Sequence, residues 1–140
     1  MLLVPESVRS TLLERARSGA PKEVCGVLAG EYGEYVSTVE RAIAAPNAAA
    51  HPRTTYEIAP TVLLETIESI EGAGDDVVGF YHSHPDGPVA PSPTDVAEAT
   101  WSGYSYLLCL LEPAPVIGSW RWDGPRDRFA RECLRTMPVQ

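Results

Sequence analysis

Long apolar runs are missing from this 140-residue chain. None approaches the roughly 18–20 residues that a membrane-spanning helix needs. The N-terminus, Met1-Leu2-Leu3-Val4-Pro5-Glu6, has no basic flank and too short an apolar stretch for a secretory signal, so the expected compartment is the cytoplasm. Positive charge is also scarce. Eleven Lys and Arg stand against nineteen Asp and Glu, a formal net charge of −8, which argues against non-specific binding to nucleic acid or an anionic membrane. Cysteine is sparse, odd in number and widely spaced (Cys25, Cys109, Cys133). With no Cys-x-x-Cys pair, a disulfide framework and a thiolate-bound structural zinc are both excluded. Cys109 lies in the apolar run 106–111 and reads as a buried strand residue. Histidine numbers only three, yet His82 and His84 are separated by a single residue.

What is present reads as one domain over 1–140, with an ordinary 44% hydrophobic and 21% charged content. Val8, Leu12, Leu13 and Ala16 recur at helical spacing and predict a helix over 6–18, ended by Gly19. Strands are expected over 24–29, 35–43, 54–58, 77–81, 104–111 and 116–122. Pro60 suits the first position of a helix running to about Glu71. Further helices are expected over 94–102 and 126–135. The segment 44–53, with two prolines and Asn47, reads as a loop. Arg121, Arg126, Arg128, Arg131 and Arg135 crowd the C-terminal end and read as a solvated helix face, or else as a site for a partner's acidic tail. The mixture without strict alternation predicts an α+β fold, an α/β sandwich with a mixed, mostly antiparallel β-sheet flanked by helices.

His82-Ser83-His84-Pro85 and Ser92-Pro93-Thr94-Asp95 bring two imidazoles, a hydroxyl and a carboxylate within fourteen residues. Side chains alternate along a strand, so His82 and His84 share a face, with Cβ atoms about 6–7 Å apart. Two imidazoles at that separation can meet on one metal ion, and Asp95 can close the set from the first turn of a following helix. Two nitrogens and one carboxylate oxygen match the sets of zinc hydrolases that leave a fourth position open to water. Each half also has a purely structural reading. A His-x-His pair can be strand-end polarity, and Ser92 with Pro93 and Asp95 makes a helix cap. A capping network would equally fix a ligand carboxylate. Ser83, between the histidines, is expected to face away and be structural.

The combination resembles the JAMM (MPN+) family of zinc metalloproteases. That signature is His-x-His-Pro, six intervening residues and Ser-x-x-Asp, and here residues 86–91 supply the six. The family's upstream glutamate before a Cys-Gly and an apolar strand matches Glu23-Val24-Cys25-Gly26-Val27-Leu28-Ala29. The lack of long insertions is similar to the compact prokaryotic branch. The resemblance implies the JAMM/MPN fold, related to that of cytidine deaminases. It implies one catalytic zinc ion held by His82, His84 and Asp95, with Glu23 as general acid/base and Ser92 as donor to the oxyanion. It implies as substrate the C-terminal tail of a ubiquitin-like or sulfur-carrier protein, cut at a peptide or isopeptide bond. The alternative is a non-catalytic scaffold of the same fold, whose members lack one or more of these residues. A zinc nucleobase deaminase is excluded, because it needs His-x-Glu and Pro-Cys-x-x-Cys. His51 reads as a solvated loop residue, and Cys25 as a buried thiol.

Overall fold

The helical spacing of Val8, Leu12, Leu13 and Ala16 is realised in α1 (Glu6–Gly19), where all four are buried. The protein is represented by a computed structural model that describes residues 1–138. Around α1 run β1 (Leu2–Pro5), β2 (Cys25–Glu31), β3 (Ser37–Ala45), α2 (Pro60–Gly72), β4 (Asp76–His84), α3 (Pro93–Glu98), β5 (Ser105–Leu110), β6 (Val116–Asp123), β7 (Arg128–Glu132) and β8 (Leu134–Met137). The strands form one sheet in the order β7-β6-β5-β4-β2-β3-β1-β8. Pairing is antiparallel for β2–β3, β2–β4, β5–β6 and β6–β7, and parallel for β1–β3, β1–β8 and β4–β5.

Helices cover both faces, as an α/β sandwich requires. On one face α1 packs over Leu2, Val4, Val78, Tyr81, Leu107 and Cys109. On the other, α2 and α3 pack with Val27, Phe80, Tyr106 and Trp122. β4 lies at the centre, and Val77 to His84 are buried throughout. Phe80 belongs to the second cluster and Tyr81 to the first. Strict alternation therefore sends His82 and His84 to the α2–α3 face and Ser83 to the α1 face. Close packing at the centre explains Gly26, where a Cβ would run into the Tyr81 ring and the Ile43 carbonyl.

Four expectations need correction. Residues 126–135 form no helix; they supply β7 and β8. Local helical preference loses there to long-range pairing, because Phe129 packs on Trp122 and Tyr106 and Glu132 lies opposite Ser119. Arg121 is accordingly no part of a solvated helix face: it pairs at 2.9 Å with Glu132, whose side chain is only 7% exposed. Residues 54–58 are not a strand. Asn47 satisfies their backbone instead, its Oδ1 accepting from the N–H of Glu57 and its Nδ2 donating to the carbonyl of Thr55. The helix expected over 94–102 ends at Glu98. β1 was not anticipated, since four residues give too short a pattern, although Leu2 and Val4 alternate buried with half-buried neighbours.

Candidate active site

The register of β2 against β4 assembles the site. Cys25 lies opposite His82, and Ser83 Oγ accepts from the N–H of Val24 at 2.8 Å. This contact holds Ser83 on the face away from the histidines. Two residues before Cys25 and on the same side, Glu23 then meets His84. Glu23, His82 and His84 are all buried, with ligand atoms within 4.8 Å of one another.

Asp95 arrives from α3. Ser92 is its N-cap: Ser92 Oγ accepts from the Asp95 N–H at 3.1 Å, and Asp95 Oδ2 accepts from the Ser92 N–H at 2.8 Å. This reciprocal box aims the carboxylate. Asp95 Oδ2 lies 3.2 Å from His82 Nε2 and 3.1 Å from His84 Nε2, and the two Nε2 atoms are 3.2 Å apart. The three atoms form a nearly equilateral triangle. A tetrahedral ion with bonds of about 2.0–2.1 Å has ligand–ligand edges of about 3.3–3.4 Å, so the triangle has the size of one face of such a site.

Protons alone satisfy this triangle poorly. The carbonyl of Pro88 can only accept, so the contact of His84 Nδ1 to it at 2.8 Å places a proton on Nδ1 and leaves Nε2 of the neutral ring as a lone pair. Burial lowers the His82 pKa and favours its neutral ring. Burial alone would raise the Asp95 carboxyl; without an ion it is held well below the usual carboxylate range by hydrogen bonds from protonated Nε2 atoms of His82 and His84 and from the Ser92 N–H. For His84, which already carries its Nδ1 proton, that requires an imidazolium: burial opposes the charge, and the bonds to Asp95 and Pro88 raise its pKa. A metal cation in place of the Nε2 protons would serve two imidazole lone pairs and the carboxylate together. His82 Nδ1 and Glu23 Oε1 are buried without a hydrogen-bond partner, a further mark of a polar pocket built around something other than its own side chains.

Two carboxylates thus flank the histidines, and they differ. Asp95 stands at tetrahedral-edge distance and is strongly anionic. Burial pushes the Glu23 carboxyl up to about 7, with a pull downward from His84 and a push upward from Asp95. Cys25 is buried and its thiol is raised to about 12, by burial first and by Glu23 second. Cys109 is likewise buried in β5. His51 is exposed.

Two residues of the site escaped sequence reasoning. Tyr56 stacks on the His82 ring, with centroids 4.3 Å apart and planes at 21°. Asn47 Nδ2 donates to the Glu23 carbonyl, tying the 47–57 loop to the glutamate. An aromatic flanked by Thr55 and Glu57 in a proline-bounded loop was the available signal for the first. Nothing local marked the second.

The pattern of prokaryotic homologues of the JAB domain matches residues 5–123. Among curated proteins, the chain is 43% identical over 130 residues to a desampylase of Haloferax volcanii, covering 90% of this chain and 92% of that one. It is 38% identical over 101 residues to a probable TtuB-protein conjugate cleaving protease of Thermus thermophilus, covering 72% and 65%. It is 34% identical over 108 residues to a CysO-cysteine peptidase of Mycobacterium tuberculosis, covering 77% and 72%. A solution structure from Desulfitobacterium hafniense superposes with a TM-score of 0.88 at 28% identity, covering 99% of this chain and 94% of that one. The fold is also that of a JAB1/MPN domain protein from Archaeoglobus fulgidus, with a TM-score of 0.63 at 18% identity over 97% of each chain.

Proposed function

The chain belongs to the family of prokaryotic homologues of the JAB domain, and from that membership we propose that it is a zinc-dependent peptidase. Its substrate in this reading is the C-terminal tail of a ubiquitin-like or sulfur-carrier protein, cut at a peptide or isopeptide bond. The observation that carries the reading is the 3.1–3.2 Å triangle of His82, His84 and Asp95 with Glu23 beside it. The choice of tail draws on the relatives, which are named for acting on such conjugates. A non-catalytic scaffold is disfavoured because all five motif positions are filled.

His82, His84 and Asp95 would hold the zinc ion, which would supply a Lewis acid and acidify a water to a pKa of about 7. Glu23 stands beside them as the group that would take up a proton from the attacking water and return it to the leaving amine. A carboxyl titrating near neutrality suits both directions of transfer; a dication nearby would draw it somewhat lower. Ser92 keeps both of its roles, because they use different parts of the hydroxyl. As a cap its oxygen accepts, and its O–H remains free to donate to the oxyanion, worth about 3 kcal/mol in comparable sites. Tyr56 fixes the His82 ring by stacking. With all three cysteines free, a reducing compartment such as the cytoplasm is the proposed location.

Mass spectrometry of carrier proteins and their conjugates after incubation with the enzyme tests the reading. Release of a tail residue or of the conjugated protein is expected, and intact substrates throughout would refute it. Metal analysis checks the ligand set: about one zinc per chain is expected in the wild type and close to none in His82→Ala/His84→Ala. Full metal content in the double variant would remove these ligands from the proposal.

A further inference from the structure

One cation in the cleft is still without a role. The cleft beside His84 has a volume of about 390 Å³ and is lined by Glu23, Arg53, Thr54, His84, Asp86 and Ser92, among others. Several arginines elsewhere are engaged: Arg15 donates to the Ala42 carbonyl and the Tyr81 hydroxyl, Arg41 pairs with Asp75 and Arg121 with Glu132. Arg17, Arg128 and Arg135 are not among the residues lining this cleft. Arg53 takes part in none of the ion pairs or side-chain hydrogen bonds among the described residues, and it is exposed to the cleft. Its backbone is nevertheless held in place. The N–H of Glu23 donates to the Pro52 carbonyl at 2.7 Å, and the N–H groups of Thr54 and Thr55 both donate to the His51 carbonyl, at 3.1 and 3.0 Å. Arg53 is thus the next residue along from the one bonded to Glu23.

We propose that Arg53 is a specificity residue that receives the α-carboxylate of the leaving amino acid, so that the enzyme favours removal of a single C-terminal residue over cleavage of an isopeptide bond. This rests on the peptidase reading above. The group that returns a proton to the leaving nitrogen has to stand beside it, so the wall carrying Glu23 is the leaving-group wall. The acyl side is left with the apolar groove beyond Tyr56, whose floor includes Ile58, Leu63, Phe80, Trp101 and Tyr106. Hydrolysis adds water across the C–N bond: the acyl carbon keeps the oxygen as a carboxylate, and the nitrogen departs as an amine with the proton from Glu23. In a one-residue leaving group the α-carboxyl carbon is two bonds from that nitrogen, about 2.5 Å away. An arginine on the adjoining turn can meet it with two parallel N–H donors. An isopeptide nitrogen ends a chain of four methylenes and brings no anion to this place. Asp86 also lies in the cleft lining, and its charge opposes an anion in the cleft, which leaves Arg53 as the group that can hold the carboxylate.

The test compares two forms of one substrate, a ubiquitin-fold sulfur carrier extended by a single cysteine after its terminal Gly-Gly. One form ends in the free acid and the other in the carboxamide. Wild-type kcat/KM is expected to favour the acid about tenfold, the scale of a hydrogen bond to a charged group. Arg53→Gln should bring the acid-to-amide ratio to about one, and Arg53→Lys should restore part of it, with metal content equal in all three proteins. A wild-type ratio near one, or equal losses on both forms in Arg53→Gln, overturns the role of Arg53 and leaves the peptidase reading standing. No turnover of either form, or of an isopeptide conjugate, by the metal-loaded wild type overturns both.

Discussion

Glu23→Gln is expected to lower kcat by roughly 10³- to 10⁴-fold, the upper range for loss of a positioned general acid/base, while zinc stays at about one per chain. The substitution keeps the shape of the side chain and removes only its ability to take a proton. It also separates the two carboxylates that flank the histidines. Glu23 has a buried Oε1 with no partner, whereas the Asp95 carboxylate is fixed by the Ser92 N–H at tetrahedral-edge distance from both imidazoles. Asp95→Asn is expected to lose metal and activity together, and Glu23→Gln to lose activity alone. Metal analysis beside tail-release kinetics reads both quantities. Near-normal turnover in Glu23→Gln would move the base elsewhere, and metal loss in that variant would make Glu23 a ligand.

Most of the candidate site was legible in sequence because the residues that would form it are local. His82 and His84 lie on one strand, Ser92 and Asp95 in one helix cap, and a spacing of two on a strand is enough to place both imidazoles on one face. Glu23 is different. Its approach depends on the pairing of Cys25 with His82, which no local pattern dictates, and only the family motif pointed to it. The same distinction runs through the fold. Helices α1 and α2 announce themselves by apolar periodicity and by Pro60. The C-terminal strands do not, since Arg128 to Met137 alternates too weakly to outvote helical residues. What makes β7 a strand is Phe129 against Trp122 and Glu132 against Ser119, contacts that exist only once β6 is in place. The 47–57 loop shows the limit most plainly. Asn47 reads as a helix breaker, yet in the structure it is the hub that accepts from Ala49 and Glu57 and donates to Glu23 and Thr55. A side chain that substitutes for a strand partner leaves no periodic signature.

The second large effect is expected far from the cleft, at Glu132. Its carboxylate accepts from Ser105 Oγ at 2.6 Å, Ser119 Oγ at 2.7 Å and Arg121 Nε at 2.9 Å, with its side chain only 7% exposed. Arg121 continues the network to the carbonyls of Gly33, Glu34 and Gly103 and to Ser37 Oγ. One ion pair therefore joins β5, β6 and β7 to the turn between β2 and β3. Glu132→Ala leaves the Arg121 guanidinium, the Met1 ammonium 3.4 Å away and two hydroxyls without their carboxylate, and breaking a buried pair from one side costs about 3–5 kcal/mol. Against a typical total of about 5–15 kcal/mol, that is a large fraction, and thermal unfolding should drop by roughly 10–20 °C. Removing both partners should cost less than the sum of the single changes, because in Glu132→Ala/Arg121→Ala no guanidinium is left without its carboxylate; the more exposed Met1 ammonium loses Glu132 in either case. Acid provides an independent check. Burial alone would raise the Glu132 carboxyl, but hydrogen bonds from Ser105, Ser119 and Arg121 outweigh it, and the folded-state pKa lies below the ordinary value. A group depressed in this way stabilises the fold fully above the unfolded carboxyl pKa and loses that contribution as pH falls through the folded value. The wild type should therefore lose stability relative to Glu132→Gln as the pH is taken below about 4.5. A difference between the two that stays constant across that range would mean that the carboxylate's charge is not what holds these strands together.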